Sequence, residues 1–544
     1  MKSIHLIILG LLALLSHNSK GDYYTSIASL FDLLDVETRA IAYVEKYMEE
    51  MEEISRQVNN TLQQLERVAK EADNDPKDYY ENPLNAYKII SRFAIDWRNL
   101  HKTLFDEKPT QIFSDNLPNT ANVEEANVPE PTHDDLVGAS KGLARLQNTY
   151  RLETIDVAEG YLMDWNYSQN FTASECYWLG RSLYAAGEYK YAAEWLMQAR
   201  LRLVEELKAP DETWQLERIT DVQVLEFLAP SMHHLGKSKL AILLNDKLLE
   251  QDPTNVQGLQ SKALYSEKAL EERHAKSLEN LSHIMPQRPE IEKLFDSVCN
   301  GEVHQTPREQ RNLRCRYVHN NVPFCFIAPF KKEELNHDPA VAYYHEAIYD
   351  SEIQRILDQS VDKVERSMVG GGENHNTSDV RTSQNTWLDF NEHSFLNNMA
   401  QRLRDITGLV LETGEQLQVA NYGIGGHYGA HYDFTEVDEE DNFDGQGNRL
   451  LTALFYINDV ELGGATAFPY LRLAVPPIRR SMVVWYNMHK SLEVDYRTKH
   501  GGCPVLMGTK WICNEWFHEA EQEFKRPCGL ESDSHKSLKF KNFL

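Results

Sequence analysis

Only seven cysteines occur in 544 residues, and no two of them stand as Cys-x-x-Cys. That leaves no support for a zinc ribbon or a thioredoxin-like redox pair, and the count is too sparse for a disulfide scaffold. Positive charge is also short: 56 Lys and Arg against 83 Asp and Glu give 56 − 83 = −27. No local basic patch offsets this balance, so neither nucleic acid nor an anionic membrane surface is expected as a partner. Long apolar runs are missing as well. The one candidate, Ile4 to Leu15 with His5 inside it, falls short of the ~20 residues a spanning helix needs, so no membrane insertion is expected.

What is present begins with that short run. It follows Met1-Lys2 and leads into Ser16, Ser19 and Gly21, the charged-start, apolar-middle, small-residue-end pattern of a secretory signal over 1–21. Five Asn-x-Ser/Thr sequons, at Asn59, Asn166, Asn170, Asn280 and Asn376, fit a secretory route. An oxidising compartment makes a few local disulfides expected, though spacing does not fix their connectivity and Cys325 competes with Cys315. Cys176, Cys325 and Cys513 sit among apolar and aromatic neighbours, where a thiol is expected to be buried and inert.

Residues 22–105 read as helical. Ile41, Val44, Met48, Met51, Val58, Leu62 and Leu65 keep 3-4 spacing, broken at Ser55, which suggests a coiled-coil or hairpin dimerisation domain or a stripe packed internally near Tyr87 to Leu100. Residues 106–139 carry Pro109, Pro118, Pro129 and Pro131 among acidic and polar residues and read as a linker. Across 140–285 two segments align with Gly187 matching Gly236, the turn glycines of tetratricopeptide-like helical pairs. Trp178, Tyr184, Tyr189, Tyr191 and Trp195 would line a groove for extended proline-rich peptide or fill the helix-helix core. Residues 286–341 form a connector. From Ala342 to 522 short runs split by Gly, Asn and Asp read as a β barrel or jelly roll, with its core over 413–519, and 523–544 is a tail.

His431-Tyr432-Asp433 follows Gly423 to Gly429, and strand alternation puts His431 and Asp433 on one face with Tyr432 pointing away. A second His-x-Asp, at His133-Asp134-Asp135, reads as solvated linker. His500, before Gly501-Gly502, supplies a third ligand candidate. Two histidines and a carboxylate on one face of an octahedron suit ferrous iron with open positions, while a zinc hydrolase could use a similar set. Lys510 selects between them, because a lysine directed into an apolar barrel requires an anionic partner such as the far carboxylate of an iron-chelating dicarboxylate. His427 has no metal-like spacing partner. The run Gly423 to Gly429 precedes a strand, so it is no dinucleotide fingerprint. The six carboxylates from Glu436 to Asp444 read as a solvated loop.

Leu417 to Gly423, His431 to Phe434, Gly463 to Thr466 with Phe468-Pro469, Trp485 to Asn487, Cys503 to Leu506 and Gly508 to Trp511 together resemble the catalytic α subunit of collagen-type prolyl 4-hydroxylases. The resemblance extends to Tyr24 to Ile27, Cys176 and Cys315 to Tyr317. It implies a multidomain α + β chain: a helical dimerisation domain, a peptide-binding domain and a double-stranded β-helix dioxygenase domain. The implied reaction couples decarboxylation of 2-oxoglutarate at Fe(II) to hydroxylation of proline in X-Pro-Gly, with L-ascorbate rescuing oxidised iron.

The resemblance assigns iron to His431, Asp433 and His500, and 2-oxoglutarate to Lys510 and His518, with Tyr422 lining the pocket or packing the core. A straight strand separates Lys510 from His518 by ~26 Å, so a substrate-channel role for His518 stays open. The resemblance also favours disulfides Cys299–Cys315 and Cys503–Cys528. It further implies an α2β2 tetramer with protein disulfide isomerase in the endoplasmic reticulum lumen. The end at Lys541 to Leu544 carries no retention tetrapeptide, so retention is expected from that partner. One departure stands out: the family's peptide-binding helix carries tyrosines where this chain has Phe227, Pro230 and His233. Alternatives are a lumenal dioxygenase for a different peptide motif and a non-catalytic peptide-binding subunit.

Overall fold

The computed structural model describes residues 76–105, 132–206, 219–276, 288–369, 380–435 and 445–536, with further residues among 48–72 and at 208, 376–377 and 443. The predicted signal, most of the predicted linker, Asn280 and most of the acidic run after Thr435 lie outside these. Two compact units emerge, one of Met1–Ala69 with Arg98–Asn127 and Trp214–Leu216, the other of Lys70–Trp97, Val128–Thr213 and Glu217–Leu544. In the first, Met48, Val58, Leu62 and Leu65 of the predicted stripe are helical, and Met48 and Leu62 are exposed.

In the second unit, after a short helical turn at Pro76–Glu81, comes α1 (Pro83–Ser91), whose first turn is set by Pro83 and by the Asn82 side chain accepting from the Leu84 N–H. Helix α2 (His133–Tyr150) starts with a capping box between Thr132 and Asp135. His133-Asp134-Asp135 is therefore a helical first turn, exposed but not linker, and the linker ends before Thr132.

The repeat region follows as α3 (Ala173–Ala185), α4 (Tyr189–Glu206), α5 (Asp221–His234), α6 (Ser238–Gln251) and α7 (Val256–Lys276). Gly187 and Gly236 occupy the two turns at φ 81° and 66°, a left-handed conformation that costs other residues. Pro230 inside α5 leaves the Glu226 carbonyl without its helical donor, and Gln257 of α7 donates to it at 3.2 Å. The predicted aromatic row divides. Trp195 and Tyr191 are buried, Trp195 donating to Gln147 at 2.9 Å, whereas Trp178, Tyr184 and Tyr189 are half-buried.

After α8 (Glu290–Cys299) the chain enters a nine-stranded antiparallel sheet sooner than expected. Its strands are β1 (Cys315–Val318), β2 (Phe330–Asn336), β3 (Val341–His345), β4 (Glu365–Arg366), β5 (Gln384–Leu388), β6 (Leu417–Tyr422), β8 (Arg449–Tyr456), β12 (Met482–Tyr486) and β15 (Lys510–His518). They lie in the order β1-β2-β3-β12-β8-β15-β6-β5-β4. The segment predicted as a connector thus supplies β1, β2 and the start of β3. The facing sheet runs β7-β13-β10-β11, from β7 (Tyr428–His431), β10 (Thr466–Phe468), β11 (Leu473–Val475) and β13 (His500–Gly502); β9 (Leu462–Gly463) pairs β14 (Val505–Met507).

Strand alternation sorts β15. Its even residues from Lys510 to His518 line a cavity, while Cys513 and Phe517 pack toward α9 (Asp350–Ser360) and α10 (Ser394–Thr407).

Helical and β parts share contacts. The Tyr150 hydroxyl donates to Pro504 O at 2.5 Å, and Arg145 donates to Gly425 O at 2.7 Å. A Cβ on Gly425 would come within 3.2 Å of Gly142 Cα, so α2 and the glycine-rich turn meet backbone to backbone. Cys299 is bonded to Cys503. This corrects both predicted pairings: Cys315, in the edge strand, and Cys528 are exposed free thiols, and Cys176, Cys325 and Cys513 are buried ones. The observed bond joins residues 204 apart because α8 folds back onto the loop after β13, a proximity that neither the spacing nor the resemblance carried.

Peptide mapping without reduction is expected to recover Cys299 joined to Cys503 and to leave Cys315 and Cys528 open to alkylation. Cys299→Ser is expected to lower unfolding free energy by about 3 kcal/mol in denaturant titrations. Recovery of a Cys299–Cys315 peptide would overturn the assignment.

Candidate metal and co-substrate site

His431 ends β7, Asp433 lies in the bend just beyond it, and His500 opens β13, which pairs with β7 so that His431 and His500 are directly opposed. Side-by-side placement of His431 and Asp433 therefore comes from the bend and not from continued strand alternation. Tyr432, expected to point away, lines the cavity and donates to Tyr496 O at 3.2 Å. One ligand atom from each of His431, Asp433 and His500 lies within 4.8 Å of the others. Each imidazole faces a different carboxylate oxygen at 3.5 Å.

Hydrogen bonds set the tautomers. Nδ1 of His431 faces Gly429 O at 2.8 Å and Nδ1 of His500 faces Thr498 O at 3.0 Å. A carbonyl only accepts, so each Nδ1 carries a proton, and Nε2 is the nitrogen of each ring that faces Asp433 and would bind a metal. Burial pushes His500 down to about 4, which keeps its imidazole neutral at pH 7. Burial alone would raise the Asp433 carboxyl, but His500, His431 and Arg449 hold it well below the usual carboxylate range. Asp433 Oδ2 accepts from Thr452 at 2.6 Å, Thr452 accepts from Asn487 at 2.9 Å, and Asn487 accepts from the Trp485 indole at 2.9 Å. Gly501 has no room for a side chain: its Cβ would lie 2.6 Å from Tyr428 O and 2.8 Å from Phe295.

The donor set fits a divalent metal held on one face. Two imidazole nitrogens and an ionised carboxylate converge with second partners in place, and nothing in the set is soft enough to demand zinc or copper.

These ligands open into a cavity of about 1100 Å³ that Tyr422, Lys510 and His518 also line. Tyr422 and Lys510 are cross-strand partners, and both are buried. The Lys510 ammonium lies 5.6 Å from the Tyr422 ring and 5.7 Å from the Tyr456 ring. It has no ion pair among the described residues, and burial pushes it down to about 7. A buried cation facing only ring faces has room and need for a carboxylate. His518 is not brought to Lys510. At the other end of β15 it faces Gly447 O at 2.8 Å and Glu415 at 3.1 Å, and Glu415 is bonded to Arg449 at 2.5 and 2.9 Å. Arg449 in turn lies over the Trp516 ring at 4.1 Å.

Sequence reading missed this Glu415–Arg449 pair and the Thr452 to Trp485 chain. Only Trp485-Tyr486-Asn487 had been singled out. Thr452 and Arg449 become visible once β8 is known to pair β15. His427 is half-buried and bonded to Thr382 at 2.9 Å, outside the ligand set. Of the sequons, Asn59, Asn166 and Asn170 are exposed.

The chain matches three families: the prolyl 4-hydroxylase α-subunit N-terminal region over residues 26–164, the prolyl 4-hydroxylase peptide-substrate-binding domain over 173–272, and the 2OG-Fe(II) oxygenase superfamily over 417–518. It is 34% identical to prolyl 4-hydroxylase subunit alpha-2 of Gallus gallus, covering 95% of this chain and 97% of that one. Against subunit alpha-1 of Homo sapiens the figures are 33%, 97% and 99%. A crystal structure of viral collagen prolyl hydroxylase from Paramecium Bursaria Chlorella virus-1 aligns at 23% identity over 32% of this chain and 94% of that chain, with a TM-score of 0.27.

Two outcomes follow from the geometry. Thr452→Val, which removes one hydrogen bond to Asp433, is expected to weaken Fe(II) binding about tenfold by equilibrium dialysis, and Asp433→Ala to abolish it; unchanged binding in Asp433→Ala would reject the ligand set. For Lys510, the folded chain loses its proton near pH 7 while the unfolded chain keeps it to about pH 10.4. The unfolded state binds more protons in that window, so stability rises with pH across it. Denaturant midpoints of the chain without co-substrate are expected to climb from pH 7 to 9 in the wild type and to stay flatter in Lys510→Met.

Proposed function

Because the chain belongs to the prolyl 4-hydroxylase α-subunit family, we propose that it hydroxylates proline in X-Pro-Gly segments of collagen-like peptides. Ferrous iron and 2-oxoglutarate, when bound, supply the oxidising chemistry, consuming dioxygen and releasing succinate and carbon dioxide. The observation that carries this reading is a cavity holding His431, Asp433 and His500 together with Lys510, a buried cation lacking a carboxylate.

The residues divide the work. His431, Asp433 and His500 hold the metal through preset lone pairs. Lys510, with Tyr422 beside it, receives the distal carboxylate of 2-oxoglutarate and so fixes which way the co-substrate lies. His518, held by Glu415 near Arg449 and Trp516, belongs to the peptide end of the cavity. Ascorbate is expected to restore iron after turnovers that modify no peptide.

The exposed sequons and the signal-like start support a lumenal chain of the endoplasmic reticulum. We place it there in an α2β2 assembly with protein disulfide isomerase, whose retention would serve both. No described helix is long and apolar enough to cross a membrane.

Mass spectrometry of a (Pro-Pro-Gly) repeat peptide incubated with the chain co-expressed with a disulfide isomerase, Fe(II), 2-oxoglutarate and ascorbate tests this. One added oxygen on the proline before glycine, with matched succinate, is expected. Succinate without modified peptide would remove the collagen-like substrate and leave a dioxygenase for another motif, and neither product would favour a peptide-binding subunit.

A further inference from the structure

Helices α3 and α5 present a half-buried ring surface that differs from a purely aromatic proline groove. Tyr184 lies 5.5 Å from both Phe227 and Tyr189, and Tyr189 stacks on His234 at 4.0 Å. Into this surface α3 sends Arg181, whose guanidinium lies 4.7 Å from the Trp178 ring and 5.4 Å from the Phe227 ring. Stacking on two rings orients the planar group and strips water from its faces, but neutralises none of its charge.

The carboxylates of α3 and α5 are engaged elsewhere. Helix α3 carries one acid and α5 two. Glu175 accepts from the Thr172 N–H at 2.7 Å, Asp221 holds Arg200 at 2.6 Å and Gln251 at 2.7 Å, and Glu226 accepts from Asn255 at 2.7 Å. Arg181 makes no ion pair among the described residues. A chain with formal net charge −27 repels acidic peptides at long range, so a half-buried guanidinium without an ion pair among the described residues is a local exception with a chemical preference.

Resting on the proline-hydroxylation reading, we propose that Arg181 makes this surface selective for proline-rich segments that carry a carboxylate side chain, Glu or Asp, near the prolines. The rings take the preordered polyproline II segment, and Arg181 takes the carboxylate as a bidentate partner. Phe227 contributes a ring without a hydroxyl and Pro230 contributes neither an aromatic ring nor a donor, so on this stretch of α5 charge recognition is left to the neighbouring helix.

Titration calorimetry of the full chain, co-expressed with the isomerase, tests this. The probes are a (Pro-Pro-Gly) repeat peptide and the same length with alternate triplets replaced by Glu-Pro-Gly or by Lys-Pro-Gly. The wild type is expected to bind the Glu peptide about tenfold tighter than the neutral one at low salt, the margin shrinking as salt rises. In Arg181→Gln that ratio is expected to fall to about one, in Arg181→Lys to stay above about three, and in Arg181→Glu to pass in favour of the Lys peptide. Equal wild-type affinity for Glu and neutral peptides, or a ratio unmoved by Arg181→Gln, would overturn the proposal. So would an equal loss of both peptides in Arg181→Gln with the ratio kept, because Arg181 would then serve peptide carbonyls or packing. Hydroxylation of the same peptides is followed in parallel. A preference in binding without any modified proline would leave the Arg181 assignment standing and reject the enzymatic reading, whereas modified peptides without a preference would do the reverse.

Discussion

Lys510 brings an ammonium into a cavity wall where burial alone pushes it down to about 7 and two tyrosine rings lie within 6 Å of it. Keeping a lysine there costs stability that a leucine would not, and the surrounding sheet is arranged as if the charge were to be completed from outside. The cross-strand pairing of Lys510 with Tyr422 fixes its level along β15. An anion with two carboxylates answers this demand and also has an end free to reach a metal.

The metal end is preset by a different means. Both ligand histidines give their Nδ1 protons to carbonyls two residues earlier, Gly429 within β7 and Thr498 in the turn before β13. Rotation of either ring would forfeit a bond that its local backbone always offers. Asp433 is held by a chain of hydrogen bonds running back to the buried Trp485. A ligand atom displaced by mutation would therefore drag a packed aromatic with it, and interiors at crystal-like density resist that. Two sheets contribute in different currencies: the four-stranded sheet supplies the histidines, and the nine-stranded sheet supplies Thr452, Lys510 and the cavity floor.

The site was legible in the sequence in part. Lys510 could be named because a lysine among Trp511, Ile512 and Trp516 needs a reason, whereas His431 and Asp433 were paired by strand alternation although a bend after β7 is what brings them together. Strand arithmetic separated Lys510 from His518, and the structure keeps them at opposite ends of β15. What spacing could not supply was partnership across the fold. Cys299 meets Cys503 only because α8 returns to the loop after β13. Glu415 and Arg449 lie 34 residues apart, and neither falls in a motif. The edge strands before residue 342 were hidden because Cys315 to Val318 and Phe330 to Asn336 are little buried, so their apolar alternation is weak.

Helix α2 gives the two halves of the second unit a common frame. Its buried residues belong to the same apolar cluster as the repeat helices and as Leu506 and Met507 of β14. Its last residue, Tyr150, also donates to Pro504, whose carbonyl accepts from the Gly464 amide at 3.1 Å. The ring surface on α3 and α5 and the cavity behind β15 are thus carried on one packed body. A polyproline II peptide advances about 3.1 Å per residue without internal hydrogen bonds, so its reach between two such sites is set by residue count. Binding at the helical surface raises the effective concentration of prolines a fixed number of residues away. The benefit lasts only while the frame is stiff, which gives a physical reason for buried bonds where a flexible linker would have sufficed to connect the chain.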